Sequence, residues 1–260
     1  MNYNVLLVVM GVLSYLFGSI NWALIISKIK RSDIRRMGSG NPGTLNMSRN
    51  FGLKFGLLTF VLDVLKGVIP TLVAFFVFRG ATFPGSGFYI YDFAVCLCGL
   101  CVVLGHIYPV YFKFKGGKGI ASTIGVFLVT ESVHGIGWGM VAVMALVAAA
   151  VFIYLTEFGA MGSFIAITPP AISGSIRLFL TYGQISTETP DVTIVAFHIV
   201  TNMLILAICF FTWFAHRKNI ERMLAGDEHP TSFKGMLVKA KAKKLREKMG
   251  EDNGNANNGM

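Results

Sequence analysis

Long apolar runs, interrupted by short basic and glycine-rich stretches, divide this chain. Residues 1–27, 132–156, 158–176 and 192–216 carry no charge, histidine being counted as neutral. Each approaches or exceeds the roughly 18 residues that mark a candidate spanning helix. The same pattern predicts further spans over residues 55–78 and from about residue 90 to 106. A shorter segment over residues 120–133, cut by Glu131, is kept because removing it would put the basic tail on the outer side. The runs are continuous, unlike the alternating segments of about ten residues in a membrane barrel. The expected fold is all-α and polytopic, with seven transmembrane helices.

Charge sets the expected orientation. The first basic residue, Lys28, follows the first apolar run, so the next loop is expected in the cytoplasm and the N-terminus outside. Residues 1–27 lack a basic start and read as a retained span, not a cleaved signal. With seven spans, most of the 23 Lys and Arg residues fall inside, and the C-terminus is cytoplasmic. The expected organisation is one membrane domain over residues 1–215. A cytoplasmic tail of short amphipathic and basic helices over 216–260 would end in a disordered Asn/Gly-rich stretch.

Composition agrees with this class: 54% of the 260 residues are hydrophobic and 14% charged, where soluble proteins carry about a quarter charged. The net charge of +10 points to anionic lipid or substrate, and no nucleic-acid motif is present. Cys96, Cys98, Cys101 and Cys209 lie inside apolar runs and read as packing residues, not as a metal or disulfide framework. The small-residue run GIGWGMVAVMALVAAA reads as close helix packing.

Three polar stretches carry candidate chemistry. FKFKGGKGIAS holds Lys113, Lys115 and Lys118 among Gly116, Gly117 and Gly119. Glycines let successive backbone N–H groups converge on an anion, a following helix N-terminus adds to the field, and lysines add full charge. The Walker spacing is absent. An extended strand over 112–115 would turn Phe112 and Phe114 to one side and Lys113 and Lys115 to the other. The first loop, with Gly38, Ser39, Gly40, Asn41, Pro42 and Gly43 followed by Asn46 and Arg49, is longer than a link requires. Ser39 could be a nucleophile or a hydroxyl that binds substrate, with no local His/Asp partner for a triad. The planar fork of Arg49 suits a phosphate. After the last apolar run, His216 and Asn219 lie three apart on one helical face. His106 is open between a hydrogen bond to backbone and a role as base. Asp63 and Lys66, on one face of the second span, are open between a salt bridge that locks helices and a functional role.

Together GSGNPGTLNMSRNFG, GHIYPVYFKFKGGKGIAS and HRKNIERMLAG resemble the bacterial acyl-phosphate-dependent glycerol-3-phosphate acyltransferases, the PlsY family; LDVLKG at 62–67 fits as well. The resemblance implies a multi-pass enzyme of the bacterial cytoplasmic (inner) membrane. It would transfer a fatty acyl group from acyl phosphate to the 1-hydroxyl of glycerol 3-phosphate, giving 1-acylglycerol 3-phosphate (lysophosphatidic acid) and phosphate. It implies no cofactor, and functional coupling to a peripheral enzyme that forms acyl phosphate. Carried onto this chain, the catalytic residues would be Ser39, Lys118, His216 and Asn219. Substrate would be bound by Gly40, Asn41, Gly43, Asn46, Arg49, His106, Lys115, Gly116, Gly117 and Gly119. The chain departs from the pattern at Thr44-Leu45, at Thr156-Glu157-Phe158, where acid stands in place of a base, and at Asp227-Glu228-His229. Because acyl phosphate is an activated anhydride, direct attack without an acyl-enzyme is expected, with positioning and charge neutralisation as the main effects. The alternative class is a membrane transporter of phosphorylated solutes, which should show internal repeats and broken helices; no repeat is legible.

Overall fold

A computed structural model describes residues 3–82, 89–185 and 192–227, and positions 231, 234–235, 237–238 and 241–242 of the tail. The expected disordered end lies outside the described residues. The described chain is all-helical, and six of its apolar segments are long enough to cross a bilayer.

The first segment is not one helix. Helix α1, Tyr3–Gly18, ends at a short break, and α2, Trp22–Ile29, restarts the chain. Asn21 caps α2 by accepting from the Leu24 amide at 3.0 Å. The break lies where α1 crosses α5, Ile90–Ile107. A Cβ on Gly18 would strike the Val102 backbone, and one on Gly105 would approach the Ser19 nitrogen at 2.8 Å. Small residues therefore let these helices touch backbone to backbone. Gly105, which lies within the second motif, serves this crossing.

The basic loop after α2 contains a 3-10 turn, Ile34–Arg36, and an amphipathic helix α3, Thr44–Phe51. Helix α4, Leu53–Phe78, follows and carries Pro70 within it. Helix α6, Ile120–Ser132, sits at the centre of the bundle. Residues 121–127 and 129–131 are all buried. Its 13 residues rise only about 20 Å, short of the ~30 Å hydrocarbon core. The fourth expected span is thus a buried central helix, too short to cross by its own length. Gly67 of α4 packs on the Ser122 carbonyl, and Gly125 of α6 packs on the Val64 carbonyl. The far end of α6 is held by polar contacts. Ser173 donates to Glu131 at 3.1 Å, while Asp92 meets His134 at 2.8 Å and Arg177 at 3.4 Å.

Helices α7, Ile136–Thr156, α8, Gly159–Ile185, and α9, Val192–Ala215, close the bundle. A short amphipathic helix α10, Arg217–Leu224, follows and ends before Gly226, whose φ of 75° is left-handed. Large apolar side chains remain exposed along α1, α4, α7 and α9, as expected of surfaces that face lipid.

Candidate active site

The first loop is built around one buried amide. Asn46 on α3 donates to the Ile34 and Met37 carbonyls at 3.2 and 3.0 Å, and its oxygen accepts from the Ser39 backbone and from Asn50 at 3.1 and 3.0 Å. These four bonds use the full capacity of the side chain. Asn46 is therefore the strut of the loop and shapes the turn that carries Ser39. Gly38 and Gly40 take φ of 54° and 69°, and the turn leaves Ser39 exposed.

The second loop differs from the extended strand expected. Residues Val110–Phe112 form a 3-10 turn, and Lys113 and Phe114 are both left-handed. The expected alternation is therefore lost. Phe112 packs with the cluster around Met47 and Ile34, whereas Phe114 is 59% exposed. Lys115 is exposed. The Gly116 and Gly117 amides, expected to meet an anion, instead donate to the Ile107 and His106 carbonyls at 3.1 Å each. These glycines are needed for close approach. A Cβ on Gly116 would lie 2.6 Å from Pro109 Cδ, and one on Gly117 would strike His106 Nε2 and lie 3.0 Å from the Pro42 carbonyl. Lys118, Gly119 at φ 85° and the first turn of α6, whose N–H groups have no partner within the helix, follow directly after these glycines.

The contact of Gly117 with Pro42 joins the second loop to the first. The third element joins through Lys118, whose ammonium donates to Asn219 Oδ1. His216, at the hinge between α9 and α10, is buried, and its Nδ1 lies 2.9 Å from the Thr212 carbonyl. A carbonyl only accepts, so Nδ1 carries the proton and Nε2 is the acceptor. The edge of Phe164 fixes the ring at 5.5 Å between centroids. Burial lowers the His216 pKa to about 4; Lys118 adds to this, and the Thr212 carbonyl opposes it. The imidazole is therefore neutral near pH 7 and can accept a hydrogen bond from a hydroxyl.

Two features escaped the sequence. The tail returns to this face: Arg49 Nε donates to the Thr231 carbonyl at 3.1 Å, and the Thr231 amide donates to the Glu157 carbonyl at 2.8 Å. These backbone contacts have no sequence signature, although the acid at 157 marks the place. The other feature is the joining of His106 to Asp63 and Ser122 in one buried polar group behind the glycines, which spacing alone did not link. His106 Nδ1 faces Ser122 Oγ at 3.4 Å and Asp63 Oδ1 at 3.8 Å, which favours side-chain partners for His106 over a backbone bond.

Residues 8–226 match the family model described as glycerol-3-phosphate acyltransferase. The chain belongs to that family. Named glycerol-3-phosphate acyltransferases of Mycoplasmopsis pulmonis and Aquifex aeolicus are each 36% identical to it. These matches cover 83% and 84% of this chain and 88% and 95% of the relatives. The crystal structure of PlsY, an integral membrane glycerol 3-phosphate acyltransferase, in its glycerol 3-phosphate form is 34% identical with a TM-score of 0.61. It covers 86% of this chain and 94% of its own. A second PlsY structure, the lysophosphatidic acid form, is 33% identical with a TM-score of 0.60. This PlsY-family chain is thus an acyltransferase of lipid biosynthesis and a multi-pass membrane protein. The family sets aside the transporter alternative, although the break between α1 and α2 is the kind of interruption a transporter was expected to show.

Proposed function

We propose that this acyltransferase moves a fatty acyl group from acyl phosphate to the 1-hydroxyl of glycerol 3-phosphate, releasing lysophosphatidic acid and phosphate. The observation that carries this reading is the meeting of three distant loops around Lys118: Gly117 lies on Pro42, and Lys118 holds Asn219. Lys118, Gly119 and the start of α6 would hold the phosphate of the donor. Arg49 and Ser39 would receive glycerol 3-phosphate, a ligand named for the similar PlsY structure. Neutral His216, with Asn219 one turn on, would orient the attacking hydroxyl.

The hydroxyl oxygen bonds to the acyl carbon, the bond from that carbon to the phosphate oxygen breaks, and the departing phosphate takes the hydroxyl proton. No acyl-enzyme forms. An apolar groove of about 390 Å³ between α1 and α4 runs from Met10 and Val73 to Ile20 and Tyr111. It ends beside the second loop and falls within the ~300–1,000 Å³ of ligand sites, so it suits the acyl chain.

The same reading places the N-terminus outside, the loops and C-terminus in the cytoplasm, and α6 as the seventh membrane helix, in a bacterial inner membrane. The membrane domain would be 1–215 and the tail 216–260, with acyl phosphate delivered by a peripheral enzyme. The test is purified protein in lipid with acyl phosphate and glycerol 3-phosphate. Phosphate and lysophosphatidic acid should appear in equal amounts, and only with both substrates. No release would overturn the reaction; a trapped acyl-Ser39 would overturn direct attack.

A further inference from the structure

Behind the second loop lies a chain of buried polar groups. Lys66 Nζ is 3.0 Å from Asp63 Oδ1 and donates to the Ile20 carbonyl at 2.8 Å, in the break between α1 and α2. Asp63 and the Ser122 hydroxyl face His106 Nδ1. On its other edge, the His106 ring lies against Gly117, and its own carbonyl accepts the Gly117 amide. Lys66, Asp63, His106 and Ser122 are each at most 3% exposed.

An apolar pair of similar size would join α4 to its neighbours about as well as a buried ion pair, which gains little stability over such a replacement. An apolar pair could not set the orientation of an imidazole. We propose that Asp63 and Lys66 are positioning residues: with Ser122 they fix the His106 ring, and through Gly117 they set the loop that presents Lys118 to acyl phosphate, a role that rests on the acyl transfer proposed above. Lys66 balances the Asp63 charge and anchors it to the α1–α2 break. The loop is thereby referenced to three helices. His106 shapes the donor side of the site, so its disturbance falls on acyl phosphate and spares the acceptor.

The experiment compares wild-type protein with Asp63→Asn/Lys66→Met, which removes both charges and leaves neither buried alone, and with Ser122→Ala. Steady-state phosphate release is measured against each substrate, with thermal unfolding in parallel. The double variant should unfold near the wild-type temperature, raise KM for acyl phosphate about tenfold, and leave KM for glycerol 3-phosphate within about twofold. Ser122→Ala should raise the same KM about fivefold. A folded double variant with both KM values unchanged, or with activity reduced only in proportion to the folded fraction, would overturn the role. Should the double variant not fold, an unchanged KM in Ser122→Ala overturns it and a selective rise supports it. A wild-type protein that releases no phosphate would instead overturn the acyl transfer itself.

Discussion

Gly116→Ala is the sharpest perturbation of the second loop. The new Cβ would lie 2.6 Å from Pro109 Cδ and 2.8 Å from the Ile107 carbonyl oxygen, and it would strike the His106 carbonyl; ordinary contact begins at 3.4 Å. Two of these neighbours are backbone atoms at the end of α5, so the loop itself has to shift, by more than the roughly 0.8 Å that the Pro109 contact alone requires, an overpacking of the kind that costs about 1–3 kcal/mol. The same shift stretches the 3.1 Å bonds from the Gly116 and Gly117 amides and moves Lys118. A displacement near 1 Å at a reacting group lowers rates about 100-fold, or about 2.7 kcal/mol of transition-state stabilisation. The assay is phosphate release with acyl phosphate varied, and kcat/KM is the quantity compared. Gly137→Ala, near the start of α7 with nothing within 4 Å of its Cβ, is the control and should keep full activity. A folded Gly116→Ala protein with wild-type kcat/KM would refute the reasoning from close approach.

Lys118→Met should fold and lose at least about 100-fold in kcat/KM for acyl phosphate, read from the same assay. Asn46→Ala removes the four-bond strut and should destabilise the protein by about 3 kcal/mol, seen as a lower unfolding temperature. For His216, the folded pKa of about 4 lies below the ordinary 6.5. Its contribution is therefore constant above pH 6.5 and is lost as pH falls toward 4, by on the order of 3 kcal/mol. His216→Gln should flatten that part of the profile of unfolding temperature against pH.

Apolar runs located the long helices closely: α9 begins where the uncharged stretch does and ends one residue before it, and α4 starts two residues before its expected place. Hydropathy averages over windows, so it passed over the break at Ser19 and Asn21, where one side-chain cap and one glycine crossing decide the backbone. It also left α3 as loop, because a polar helix of eight residues has no long apolar face. Residues that meet at the candidate site were legible where charge stood beside apolar runs, as at Lys118, or where a polar pair followed a span, as at His216 and Asn219. The inward turn of Asn46 was hidden, since an amide bound to its own loop and an amide bound to substrate look alike in sequence. The Phe112–Phe114 alternation failed because two consecutive left-handed residues break the period on which it depended.

The shortness of α6 governs depth. It crosses α4 near Gly67 and Gly125, and its first residue lies only about 6–8 Å from that crossing, while α4 runs on for roughly 20 Å toward Leu53. Helix α4 thus overhangs the start of α6, which stands level with the end of α9, where Thr123 meets Thr212 and Lys118 meets Asn219. In the proposed reaction, water-soluble substrate would reach the start of α6 from the loops, and the groove between α1 and α4 would take the lipid tail. On that reading, each substrate would approach the site from its own solvent.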